Sequence, residues 1–193
     1  MNDPGNLNYR IEGIPDGDYI AWASLANDGY VIDPDWLFKN PGGLDLSFDG
    51  VSQVDLDFGV TDAIPLVFPT NPADSTTAAM ADSTVPEFRW TSYPSAKEYF
   101  IEVRNYSGDV LWGGFDETGA ARHAFIGAQV TSVRYNFDAQ PDAPGLEPGQ
   151  VYQWTIWADL GTKQDSFVEQ LISSSEDLRG IFQVPAPPAP PEP

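Results

Sequence analysis

The chain has 193 residues, enough for one large or two small domains with a buried core. Its formal net charge of −20, from 29 acidic and 9 basic residues, creates a field that repels phosphate backbones and anionic membranes, so nucleic acid is a poor partner. The sequence holds no cysteine, which excludes disulfides, thiolate metal sites and cysteine nucleophiles, and no apolar run approaches the roughly 20 residues of a membrane span.

Residues 1–61 alternate short apolar segments with Gly, Pro, Asn and Asp, a pattern that predicts strands joined by turns. Strands are expected at 9–14, 18–25 and 30–32, followed by a hairpin that pairs 44–48 with 54–58 across Asp49 and Gly50. A second unit begins near Ala63. Its expected strands are 64–68, 87–91, 98–105, 110–113, 132–137, 151–159 and 180–184, with a loop at 69–81 and an irregular insertion at 114–129. Phe167, Val168, Leu171 and Ile172 have near-helical spacing, which predicts a short helix or an irregular apolar loop before the last strand. The tail 185–193, P-A-P-P-A-P-P-E-P, cannot donate to a ladder and is expected to be an extended spacer, either a linker to a further domain or merely the end of the expressed chain, with recognition by a proline-binding module as the sharper alternative. The start of the sequence does not read as a secretory leader, so the expectation is a cytoplasmic protein or a chain whose leader has been removed.

The segment 146–158 reads L-E-P-G-Q-V-Y-Q-W-T-I-W-A, a tight turn running into a strand whose Tyr152, Trp154, Ile156 and Ala158 share one face. It resembles the fibronectin type III module, whose penultimate strand is entered through a Leu-x-Pro-Gly-x-x-Tyr corner; here Leu146, Pro148, Gly149 and Tyr152 occupy those positions. Phe88-Arg89-Trp90-Thr91 looks like the core tryptophan strand of that family, and residues 99–104 look like the strand that follows it. The unit is about 20 residues longer than the roughly 100 of such a sandwich, which places enlarged loops at 114–129 and 160–179. Residues 9–19, with Gly13-Ile14-Pro15-Asp16-Gly17-Asp18-Tyr19 at their centre, resemble the carboxypeptidase regulatory-like (transthyretin-like) module, with 54–58 as a closing strand. Only the second half of that pattern is present. The expectation is a piece of a larger protein, or a half-sandwich completed by strand complementation between copies. The fold class expected is therefore all-β, two sandwich domains in tandem (immunoglobulin-like and prealbumin-like), with boundaries 1–62 and 63–184 and the proline-rich tail beyond. The resemblances imply secreted or surface-anchored bacterial proteins, lipoproteins among them, that are mostly non-catalytic.

His123 is the only histidine, so a histidine metal cluster is impossible, and the loop 118–123 has neither a nucleophile elbow nor a phosphate-binding pattern. Paired carboxylates carry no signal in a chain with 29 acids. Asp16, Asp18, Asp28 and Asp33, with Asn27 and Asp35 nearby, are candidate oxygen ligands for calcium, although turn chemistry accounts for the same residues and the EF-hand spacing fails. The aromatic residues say more. Alternation turns Phe100 and Trp157 to the outer face of two neighbouring strands, where they are expected to form an apolar patch, left open or covered by the first unit, the 167–172 segment or the tail. Trp90 and Trp154 read as core, whereas Trp22, Trp36 and Trp112 fit either environment. These residues lead to a non-catalytic structural or adhesive module that contacts a protein partner or neighbouring domains. The alternatives are a carbohydrate-binding module stacking sugars on Trp157, Phe100 or Trp112, and a self-assembling filament subunit. A glycosidase or protease is the least supported reading. No cofactor is implied apart from the candidate calcium.

Overall fold

The computed structural model describes residues 10–23, 25, 28–34, 44–55, 58–72, 77–115, 121–122, 126–161 and 171–186. Within them the protein is all-β, built from two facing sheets and two two-stranded ribbons. Strand β1 (Gly17–Ala21) pairs antiparallel with β3 (Leu44–Phe48), and β2 (Tyr30–Ile32) pairs with β4 (Val60–Asp62). The smaller sheet runs β11 (Ser132–Arg134), β7 (Glu87–Trp90), β5 (Leu66–Phe68). The larger, seven-stranded sheet is centred on β8 (Glu98–Asn105) and β12 (Val151–Asp159), which pair along eight registered positions. The outer side of β8 carries β9 (Val110–Gly113) and β10 (Ile126–Gly127). Along β12 lie β13 (Leu171–Ser174) and β14 (Ile181–Gln183), and β6 (Ala79–Met80) runs parallel to β14. No helix among the described residues is long and apolar enough to cross a membrane.

The core between the sheets follows from period-two alternation. Phe88 and Trp90 of β7 face Tyr99, Ile101 and Val103 of β8 and Tyr152, Trp154 and Ile156 of β12, and all are buried. The rings of Phe88 and Trp154 lie 4.9 Å apart, and Phe182 meets Phe88 edge-on at 5.6 Å. Trp154 Nε1 donates to Pro69 O at 2.8 Å, and Tyr135 Oη to Pro144 O at 2.7 Å. Burial pushes the Tyr135 phenol up to about 12. The corner before β12 has the geometry its residues predict. Gly149 adopts a φ of 80°, Leu146 is buried, and the Glu147 N–H donates to Tyr152 Oη at 2.8 Å, the tyrosine corner of β-sandwiches.

Strands β13 and β14 are two parts of one edge split by a bulge that contains the 3₁₀ turn Asp177–Arg179. Asn71, only 2% exposed, stitches the bulge in place, donating through Nδ2 to Leu178 O and accepting from Ile181 N. Gly180 lies so close to the Trp154 carbonyl that no side chain fits there.

Several expectations need correction. The segment 44–48 pairs with Gly17–Ala21, and the described residues of 54–58, Val54, Asp55 and Phe58, lie outside any strand. That register puts Tyr19 and Ala21 on one face with Leu44, Leu46 and Phe48. The Asp49 carboxylate closes its own turn by accepting from Val51 N, Ser52 N and Ser52 Oγ, which leaves Val51 and Val54 exposed and outside any strand. Residues 10–15 form no strand, and among the described residues no strand offers them a ladder. Residues 79–80, expected in a loop, form β6, and 171–174 form β13 instead of helix or loop. Expectations for Trp36, the loop 118–120 with His123, residues 167–170 and the tail from 187 onward lie outside the described residues. At the expected boundary the chain runs directly into the sandwich: Ala63 N donates to Gly29 O, Ile64 N to Ser174 O, and Ser173 Oγ to Asp62 O at 2.7 Å.

Candidate functional site

The outer face of the β8–β12 pair is where the sequence placed its aromatic patch. Because inward residues alternate with outward ones, four cross-strand pairs line up on that face: Arg104 with Gln153, Glu102 with Thr155, Phe100 with Trp157, and Glu98 with Asp159. Phe100 and Trp157 are therefore direct neighbours. They do not form an open platform. Phe115 lies against both, 5.5 Å from Phe100 at 51° and 5.4 Å from Trp157 at 75°, and Phe100 is only 4% exposed. The chain reaches that position because Gly113 and Gly114 both take positive φ, 75° and 73°. At Gly113 a side chain would run into the Ile101 carbonyl, and at Gly114 into the Glu102 carboxylate. The paired glycines ahead of Phe115 are the signal in the sequence that the strand folds back over the sheet.

Beside the aromatic cluster the face is polar and tied to the protein. Glu102, 4% exposed, pairs with Arg104, whose Nη1 also donates to Gly108 O at 3.1 Å. Gln153 Nε2 donates to Asp177 O at 2.6 Å. Beyond Trp157, Glu98 and Asp159 bring two carboxyl groups together at the end of the strands. Burial raises the pKa of both, and the Asp159 charge raises that of Glu98 further. Composition could not single out this pair, because only the register separates it from the other acids.

Trp112 is not on this face. It pairs across strands with Val103, whose side chain points inward, so Trp112 enters the core, where it is 1% exposed and donates from Nε1 to Asp138 at 3.0 Å. That burial takes it out of any sugar-stacking surface. Trp22 is exposed on the segment after β1. The candidate calcium ligands divide between two ribbons: Asp16 and Asp18 flank or belong to β1, and Asp28 and Asp33 flank β2. Asp18 accepts from Ser47 Oγ, and Asp28 accepts from Tyr30 N in a turn two residues long. Among the described residues no group of three or more His, Asp or Glu side chains is arranged to hold a metal ion.

No protein-family model matches the chain, and the search of curated proteins returned no match.

Proposed function

We propose that this chain is a non-catalytic β-sandwich module of the fibronectin type III kind, working as a structural spacer or adhesive interaction module in a secreted or surface-anchored protein. The carrying observation is the Tyr152 corner set in a sandwich whose small sheet has the order β11-β7-β5 and whose large sheet has β9, β8, β12 and β14 side by side. The closure of Phe115 over Phe100 and Trp157 favours the spacer over sugar binding, since a stacking platform needs an open, flat ring face. Docking of the β2–β4 ribbon on β13 adds rigidity at the N-terminal side, as a spacer requires. A glycan array probed with the full chain tests this reading. No binding is expected; binding that Trp157→Ala abolishes would replace the spacer with a carbohydrate-binding module.

A further inference from the structure

The spacer reading leaves one feature of the outer face without a purpose. Glu98 and Asp159 stand opposite each other in the β8–β12 register. Asp159 is 3% exposed; its Oδ1 accepts from Gly161 N at 2.5 Å, while its Oδ2 is buried without a hydrogen-bond partner. The Glu98 carboxyl comes to the same glycine, since a Cβ built on Gly161 would lie 3.6 Å from Glu98 Oε1 and 2.9 Å from the Lys97 Cβ. Gly161 holds this turn with a φ of 64°, so a position that only glycine fills comfortably brackets both carboxyl groups. The ion pairs among the described residues are Arg10 with Glu12, Arg89 with Glu87, Arg104 with Glu102 and Arg134 with Asp82, and none reaches this pair.

A buried carboxylate oxygen with no partner is costly, and a second carboxylate facing it adds repulsion. A proton or a cation between the two groups relieves both costs. We propose that Glu98 and Asp159 form a divalent-cation site of the calcium type, with the ion held between the free Oδ2 of Asp159 and the Glu98 carboxylate. Two carboxylates match the charge of a divalent ion, and hard oxygen donors suit calcium, with water completing a shell of about six to eight oxygens. The half-buried Glu98 leaves the ion a path from solvent, and a net charge of −20 raises the local concentration of cations around the whole molecule.

The test uses the full chain, freed of metal with chelator and titrated with calcium at neutral pH and constant ionic strength. Thermal unfolding is expected to shift upward by about 5–10 °C when calcium exceeds its Kd roughly 100-fold. Glu98→Gln and Asp159→Asn are each expected to remove the shift, and the more exposed Glu98 serves if the buried Asp159 variant fails to fold. Terbium supplies an independent readout. Trp157 lies two residues from Asp159 on the same face, so excitation of tryptophan is expected to sensitise terbium emission that calcium displaces and that Glu98→Gln abolishes. No calcium shift in the parent chain overturns the proposal. So does a shift that survives in either variant, which would reveal diffuse binding to the acidic surface. A pair that shares a proton would also overturn it, seen as stabilisation on acidification with no response to calcium.

Discussion

Single side chains carry much of the stability of this sandwich. Tyr152 is 5% exposed, and its hydroxyl accepts a hydrogen bond from the Glu147 N–H. Tyr152→Phe is therefore expected to cost about 1–2 kcal/mol in urea unfolding, a lost hydrogen bond plus part of the desolvation of the stranded N–H. Gly113→Ala fails for a different reason: its φ of 75° disfavours a side chain and the new methyl group meets the Ile101 carbonyl. Its expected loss is about 2 kcal/mol or more, read by the same measurement. The Asp159 carboxyl adds a pH dependence whose sign follows from its raised pKa. The folded state holds that proton more tightly than the unfolded state, so its contribution to stability is greatest in acid and declines as pH rises past the ordinary value of 3.8 toward the raised one. In chelator, Asp159→Asn is expected to be more stable than the parent at neutral pH, with the difference vanishing in acid. An unfolding series across pH checks it, and a parent that gains stability across that interval contradicts it.

At the level of elements, the contact between the β2–β4 ribbon and β13 is the least foreseeable part of the fold and the easiest to test. Ser173 is fully buried and its Oγ donates to Asp62 O, so Ser173→Ala is expected to cost about 1 kcal/mol and to loosen the ribbon without disturbing the core. Hydrogen exchange should show this as faster exchange at Ile64 and Ala63, whose N–H groups bond Ser174 O and Gly29 O. The sandwich strands β8, β9 and β12 were legible to the residue: β8 and β12 alternate a large apolar inner face with an outer face that carries polar side chains, β9 is a short apolar run bounded by Gly108 and Gly113, and the Leu146 to Tyr152 corner fixes the start of β12. The pairing of β1 with β3 was not legible. It depends on which of several short segments meets residues 44–48 across a long stretch of chain, and a local Asp49-Gly50 turn gave the wrong answer because the Asp49 side chain satisfies that turn without a hairpin. At the outer face, alternation placed Phe100 beside Trp157. Their closure by Phe115 required a backbone reversal, and the Glu98–Asp159 pair required the register itself.

For the whole molecule, the decisive property is a net charge of −20 on a surface that also exposes Ile11, Ile20 and Trp22 near a ribbon that has no third strand among the described residues. An exposed ribbon with apolar side chains invites pairing between copies, which would make the chain a filament subunit. The side chains on the outward side of that ribbon oppose it. Asp18 and Asp45 alternate there with Ile20 and Ser47, so a second copy docking on that face brings like charges together, and the long-range field repels it first. The full chain is accordingly expected to remain monomeric at about 0.01 M salt, where the Debye length is roughly 30 Å, and its melting temperature is expected to rise gradually as salt approaches about 0.15 M and screening shortens that length to roughly 8 Å. Light scattering and thermal unfolding over that range measure both. If the repulsion is what keeps copies apart, Asp18→Asn combined with Asp45→Asn should promote association at low salt, whereas Ile20→Ser in the same background should reverse it. Oligomers already present in the parent chain at low salt would mean that ribbon pairing outweighs the field, and the chain would then assemble rather than separate its neighbours.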